Sequence, residues 1–372
     1  MKIFIEPNDV LMFRDGRPFS GGDDHFAKGM FPPAPATFYG AVRSKILSEK
    51  YPEYDSFREN KIPDSIKAEI GTPTSDGTLS ITNFMLAKRS QSGNIIPLFS
   101  TPRDLLRVKG EESKYFLLRP EETVKNNAKI NLPNQLINLL WFKTEKVLEE
   151  IGGFLDLMGM EEYLLGNTPL KIIETQDIYL REERTGIKKN RIRRAVETGA
   201  LYSVEYFRLK EDIGFLVELE GTINFPAEGL LRIGGDHRSA HYKKVDCLMP
   251  DLEKIKAKVL LNKHFKLILT TPAIFQKGWL PSWINEDSLE GVREGIRLKM
   301  ISAAIGRPIG LGGFDLAKKI PKAMKKAVPA GSVYYFEIED GSLEGIFDIF
   351  WLKSISDEKS KEGFGITLIG GY

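Results

Sequence analysis

Apolar and polar residues alternate near the start in KIFIEP and DVLMF, which predicts a first strand broken by the turn-forming Arg14-Asp15-Gly16-Arg17-Pro18. Phe19 to Pro35 is rich in glycine and proline and reads as a loop. In ATFYGAVRSKIL the period changes. Phe38, Val42 and Ile46 recur at intervals of four, which predicts a helix with Thr37 as N-cap and Gly40 in its first turn. Residues 51–78, rich in Pro, Asp, Ser and Gly, predict an irregular surface excursion. LSITNFML, NIIPLFS and KYFLLRP return to strand patterns. Asn134 to Met158 then spaces Leu136, Leu139, Leu140, Val147, Leu148 and Ile151 as the apolar stripe of a helix.

Lys171–Leu180 and Leu201–Lys210 alternate with period two, and on the second Tyr202, Val204, Tyr206 and Arg208 share one face. GFLVELEG and GLLRIGG add two strands, and DLEKIKAKVLLNKH predicts a connector helix. HFKLILTTPAIF opens what resembles a second unit: a strand, a helix over Ser288–Ile305, then GSVYYFEIE, IFDIFWL and FGITLIGG as strands. Strand, helix and strands thus occur in both halves, as in a duplicated α+β sandwich, with the boundary between residues 247 and 263. No short-period solenoid repeat is present.

Composition narrows the class. Of 372 residues, 42% are hydrophobic and 28% charged, a balance that supports a buried core. The 53 Lys and Arg against 51 Asp and Glu leave only +2, so any polyanion-binding surface must be local. The single Cys247 excludes an internal disulfide and a Cys-rich zinc site. Neither a secretory apolar run at the start nor a membrane-length apolar stretch occurs, so a cytoplasmic protein without a membrane partner is expected.

Two stretches carry candidate chemistry. SGGDDH contains the paired acids of a two-metal palm site, yet Asp23 and Asp24 sit among Arg17, Pro18, His25 and Pro32 with no adjoining apolar strand, so a polar loop is expected. The second stretch runs from Arg181 to Arg194. Arg181, Arg184, Lys188, Lys189, Arg191, Arg193 and Arg194 stand against two glutamates, a local +5 in a connection too long for a tight hairpin. A basic finger of this kind can lie across a phosphodiester backbone. Glycine clusters supply bare main chain that a ligand can approach: Gly234 and Gly235 beside Arg232, His237 and Arg238; Gly312 and Gly313 after Arg307; and Gly363 and Gly365. Gly40 at a helix start, with Tyr39 and Arg43 to stack and pair, is a fourth, for which a close helix–strand contact is an equal explanation. None of these matches the P-loop.

Taken in order, DVLMFRDGRPF, FPPAPATFYGAVRSKIL, LLRIGGDHRSAHY, TTPAIFQKGWLP, GRPIGLGGFDL, PAGSVYYFEI and GFGITLIGGY resemble the CRISPR-associated RAMP superfamily, in particular the third-subunit family of the type III-B (Cmr) RNA-guided effector complex. The likeness runs from residue 3 to 372 and is poorest at 51–78 and 110–133. It implies an α+β fold of two ferredoxin-like (RRM-like) domains, 1–250 and 260–372, with an extended β-hairpin thumb at about 171–210. It also implies a non-catalytic, cofactor-free and metal-free subunit. Such a subunit caps the 5′ repeat-derived tag of the crRNA and lies beside the large palm-domain subunit and the backbone RAMP subunits. With the residues already named, Arg14 and Lys277 complete the expected RNA-binding set.

Three rivals stand beside this reading. A metal-independent endoribonuclease would draw on His25, His237, His241 or His264 as general acid or base. A nucleotide cyclase would need Asp23 and Asp24, and a pure assembly scaffold would touch no RNA. Trp279 and Tyr372 are candidates for stacking on unpaired bases, with an interface anchor for the large subunit an equal reading of Trp279, whereas Phe275 and Phe314 are expected in the core.

Overall fold

The computed structural model describes residues 1–15, 26–51, 53–111, 114–121, 138–169, 171–189, 196–236, 238–315 and 317–372, with the backbone alone at 188, 189 and 196–201. In chain order the first elements are β1 (Lys2–Pro7), β2 (Phe26–Ala27), α1 (Pro35–Lys50), α2 (Tyr54–Arg58) and α3 (Asp64–Ile70). Then come β3 (Ser80–Arg89), β4 (Ile95–Ser100), β5 (Leu105–Val108), β6 (Tyr115–Leu117), β7 (Arg119–Glu121), β8 (Leu139–Trp141), β9 (Leu148–Glu150), β10 (Phe154–Leu155) and α4 (Leu157–Leu164). A hairpin of β11 (Tyr179–Lys189) and β12 (Val196–Leu209) leads to β13 (Ile213–Glu220), β14 (Glu228–Arg232) and β15 (Ser239–Lys244). The last third holds α5 (Leu252–Val259), β16 (His264–Leu269), β17 (Glu290–Arg293), β18 (Ile296–Ala304), β19 (Ile309–Leu311), β20 (Phe314–Asp315), β21 (Ile320–Pro321), β22 (Lys325–Ala327), β23 (Val333–Asp340), α6 (Gly345–Phe350) and β24 (Thr367–Gly370). The fold is mixed and rich in sheet.

The chain divides into two compact units, each assembled from separate segments: 1–81, 176–245 and 310–325 in one, 82–175, 246–309 and 326–372 in the other. In the first unit β13, β1, β15 and β14 are neighbours in that order, with β1 antiparallel to both flanking strands. Phe38 of α1 is fully buried, its ring 4.7 Å from Phe215 on β13. Phe31 lies 5.1 Å from Phe207 and 4.2 Å from Tyr179, so aromatic packing reaches the root of the long hairpin. The second unit is built on a five-stranded sheet, β17-β18-β23-β16-β24, with α4, α5 and α6 in contact with β24. Phe265, Phe336 and Phe350 fill its core with no exposure above 1%.

Several expected elements take a different form. Ser288–Ile305 is the β17–β18 hairpin rather than a helix, turned by Glu294 and Gly295, both with positive φ. Ile296, Leu298 and Met300 are buried while Arg297 is exposed, so the alternation of a strand paired to β23 prevails over the helix-forming composition. Within Asn134–Met158 the described residues form β8, β9, β10 and only the start of α4. IFDIFWL is α6, not a strand. The excursion at 51–78 contains α2 and α3, and Ile66 and Ile70 of α3 are buried. Lys171–Leu180 is strand only from Tyr179. Helix α1 begins at Pro35 after Ala34, so Thr37 is not its cap and Gly40 lies beyond its first turn. Among the described residues no helix is long and apolar enough to cross a membrane.

Candidate nucleic-acid interface

The hairpin of β11 and β12 pairs residue for residue from Tyr179–Leu209 out to Ile187–Leu201, and after a register shift Lys189 pairs with Val196. Its inner margin is held by β2, whose Phe26 and Ala27 run parallel to Ser203 and Val204. The face read from the sequence is present: Val204 and Tyr206 are buried against Val10 and Ala27, and Met12 and Tyr202 pack on them. Gly186 is required here. A Cβ at this position would lie 2.5 Å from the ring of Tyr202, which crosses the ribbon over the bare glycine.

Charge on the ribbon is divided along its length. At the root every arginine has a carboxylate. Arg181 meets Glu205 at 3.0 Å, and Glu205 also accepts the Gly29 N–H at 2.8 Å. Glu182 binds Arg184 at 3.1 Å and also Arg208, and Arg208 reaches Asp9 at 3.2 Å. Arg238 of the β14–β15 turn joins the group through Asp9 at 3.2 Å and Asp236 at 3.0 Å. The Tyr206 ring lies between Arg184 and Arg238, 5.1 and 5.0 Å from the two guanidinium carbons, and its hydroxyl donates to Asp236 at 3.1 Å. The Val10 N–H, then Arg208 and Arg184, lower the Asp9 carboxyl below its ordinary value, and Arg208 lowers Glu182. Arg184, Arg208 and Arg238 thereby balance Asp9, Glu182 and Asp236 in number. Pairs this exposed add little stability, but they fix direction.

Beyond this root the sequence from Thr185 to Leu201 contains Lys188, Lys189, Arg191, Arg193 and Arg194 against one acid, Glu197. Lys188 and Lys189 end β11; Arg191, Arg193 and Arg194 lie outside the described residues. The net positive charge of the ribbon therefore belongs to its outer end. That is the arrangement a polyanion requires, because cations already held by carboxylates release no counterions when phosphates arrive.

The other expected contacts separate into closed and open. At Gly234 (φ 71°) a Cβ would lie 2.4 Å from the Met12 carbonyl oxygen, to which Gly235 N–H donates at 2.8 Å, so this turn closes on the protein's own main chain. Gly363 and Gly365 are buried, and Gly365 N–H donates to Pro272. Tyr39 is only 3% exposed, which removes it from base stacking, and Arg43 donates to the Thr72 carbonyl at 3.1 Å beneath the Phe57 and Tyr39 rings. Lys277 donates to the Ile284 carbonyl at 2.8 Å. In contrast, a Cβ at Gly40 meets nothing within 4 Å, so helix–strand packing does not explain that glycine. Arg14, Arg232, Arg307, Gly312 and Gly313 are exposed. Phe275 is buried as expected; Phe314 is not, with 54% exposure. Tyr372 packs edge-on to Tyr335 at 4.7 Å. His237, Asp23, Asp24 and His25 lie outside the described residues, and exposed His241 sits on β15 between Glu6 of β1 and Leu230 of β14 in the sheet register. Among the described residues no three His, Cys, Asp or Glu gather as a metal would need.

Sequence reasoning missed a fully buried polar cluster in the second unit. Asp104 accepts from the Tyr163 hydroxyl at 2.8 Å and from the Tyr335 hydroxyl at 2.5 Å, while the Lys266 ammonium stands 3.5 Å over the Tyr163 ring. All four residues have zero exposure. Burial raises the Asp104 carboxyl and lowers Lys266 to about 8. The available signal was a lysine at the centre of the apolar run HFKLIL.

A two-unit, sheet-rich chain with a long basic hairpin is the class these features define. The chain belongs to the family described as CRISPR-associated protein (Cas_Cmr3), whose model matches residues 3–371. None of the curated proteins matches it. Among solved structures it is similar to a chain in the cryo-EM structure of the type III-B Cmr-beta complex bound to cognate target RNA and AMPPnP, with 16% identity, TM-score 0.49, and coverage of 94% of this chain and 88% of that one. It is also similar to a chain of the Csm3–Csm4 subcomplex of the type III-A CRISPR-Cas interference complex, with 11% identity, TM-score 0.37, and coverage of 92% and 93%.

Proposed function

We propose that this chain is the subunit of a type III-B RNA-guided effector complex that holds the 5′ repeat-derived tag of the crRNA, using the outer end of the β11–β12 thumb, and that it does so without cleaving the RNA. Each unit is taken as an elaborated ferredoxin-like core, with α1 against β14 in one and α6 against β24 in the other. The large palm-domain subunit and the backbone RAMP subunits are the protein partners in this reading. One observation carries it: the ribbon neutralises its own root and leaves five cations, Lys188 to Arg194, without a carboxylate among them. Gly40, half-buried but with nothing within 4 Å of where a Cβ would lie, and exposed Arg232 offer further approach for the RNA main chain.

The test is a salt titration of RNA affinity. Changing Arg191, Arg193 and Arg194 to glutamine removes up to three phosphate contacts, so the log–log slope against salt should become shallower by about 2. An unchanged slope and affinity would return the chain to a scaffold. Incubation with repeat RNA in the absence of metal should leave the RNA intact; cleavage that His237→Ala abolishes would make the chain a nuclease.

A further inference from the structure

The segment after Gly313 forms a second, smaller hairpin that the thumb reading does not use. Phe314 pairs with Pro321 and Asp315 with Ile320, and Lys322 N–H donates to the Gly313 carbonyl at 2.9 Å. The Asp315 carboxylate accepts from Ala317 N–H and Lys318 N–H, both at 3.0 Å, so the one acid of the segment is occupied in closing the turn. Around it stand Lys318, Lys319, Lys322, Lys325 and Lys326, all exposed. The hairpin also keeps large apolar side chains in solvent: Phe314 is 54% exposed, Ile320 53% and Met324 49%. Gly312 and Gly313, exposed and without Cβ, precede the phenylalanine, and a Cβ on Gly313 would meet only the Lys322 stem, at 3.8 Å.

A bare phenylalanine ring beside lysines is a poor solution for a free surface, since water gains nothing from the ring. It suits an unpaired base, whose flat face stacks on the ring while the flanking ammonium groups meet phosphates. A duplex would offer the phosphates but no base face, and an acidic protein would offer charge without a use for the ring. We propose that the hairpin from Gly312 to Lys326 is a second single-stranded RNA-binding element, engaging a stretch of RNA other than the one at the thumb. It rests on the reading of the chain as an RNA-binding subunit.

The full-length protein is titrated against a fluorescent unstructured oligoribonucleotide, its DNA counterpart and an RNA duplex. Phe314→Ala should weaken binding of the single strand at least about fivefold and leave the salt slope unchanged, because a stacking contact releases no counterions. Lys318→Gln with Lys319→Gln and Lys322→Gln should make the slope shallower by about 2. All these positions are exposed, so melting temperature should not move. Combined with the thumb substitutions, the losses should add in log units, as for separate sites. If thumb variants bind normally while hairpin variants do not, the thumb reading fails and this one stands; the converse result overturns this one alone. Equal loss on duplex and single strand, preference for the DNA strand, or no effect of Phe314→Ala also overturns it.

Discussion

Replacing Lys266 by methionine removes a buried ammonium that has no hydrogen-bond acceptor among the described residues and that keeps its proton only to about pH 8. In the unfolded chain the same group keeps it to 10.5. Between those values the unfolded state binds more protons than the folded one, so stability rises with pH. The rise ends near pH 10. Burial lifts the phenols of Tyr163, Tyr334 and Tyr335 well above their ordinary 10.0, so in stronger alkali the unfolded chain sheds protons that the folded chain retains, and stability falls again. Over the two units from 8 to 10 the gain is about 3 kcal/mol, at about 1.4 kcal/mol per unit. Urea unfolding followed by tryptophan fluorescence at half-unit steps measures it. Wild type should climb across this window and Lys266→Met should not, while both should decline beyond it. Parallel curves would refute the burial of Lys266 as described.

Asp104→Asn should destabilise the protein by about 3–5 kcal/mol by leaving Lys266 without its counter-charge, and Lys266→Met in the same chain should recover most of the loss, as read from urea midpoints. Gly365→Ala should cost at least about 1–3 kcal/mol, because φ is 68° and the new Cβ would lie 2.5 Å from Ser356 N; thermal melting reports it. Gly40→Ala should do the reverse, stabilising α1 by about 0.5–1 kcal/mol while weakening RNA binding if RNA approaches there. Glu182→Gln, which frees charge at the thumb root, should tighten RNA binding at low salt; weaker binding by anisotropy would contradict the division of charge along the ribbon.

The thumb was legible because its signals are local. Period-two alternation through Tyr202, Val204 and Tyr206 and a charge run between two strands need no tertiary knowledge. Its division into a neutral root and a cationic end was not legible, because Asp9 reaches Arg208 and Arg238 from a distant part of the chain. The misread helices have a common cause. EGIRLKMISAA is composed of good helix formers, and only pairing to β23 reveals that its buried positions alternate. IFDIFWL erred the other way: aromatic and branched residues suggested a strand, yet Ile346, Phe347, Ile349 and Phe350 are all buried from a short helix. The glycine clusters were ambiguous because bare main chain serves the protein's own close approaches, as at Gly234 and Gly365, as readily as a ligand's. Asp104 gave no sign at all, since nothing in TPRDLLRV marks one acid for burial among two tyrosines.

Tyr206, clasped by two guanidinium groups that carboxylates in turn hold, has a mechanical meaning. A flexible arm must stiffen before it can grip, and that loss of freedom is subtracted from affinity. Here the root of the hairpin is braced in advance by these contacts, so the ordering of that part is complete before any partner arrives.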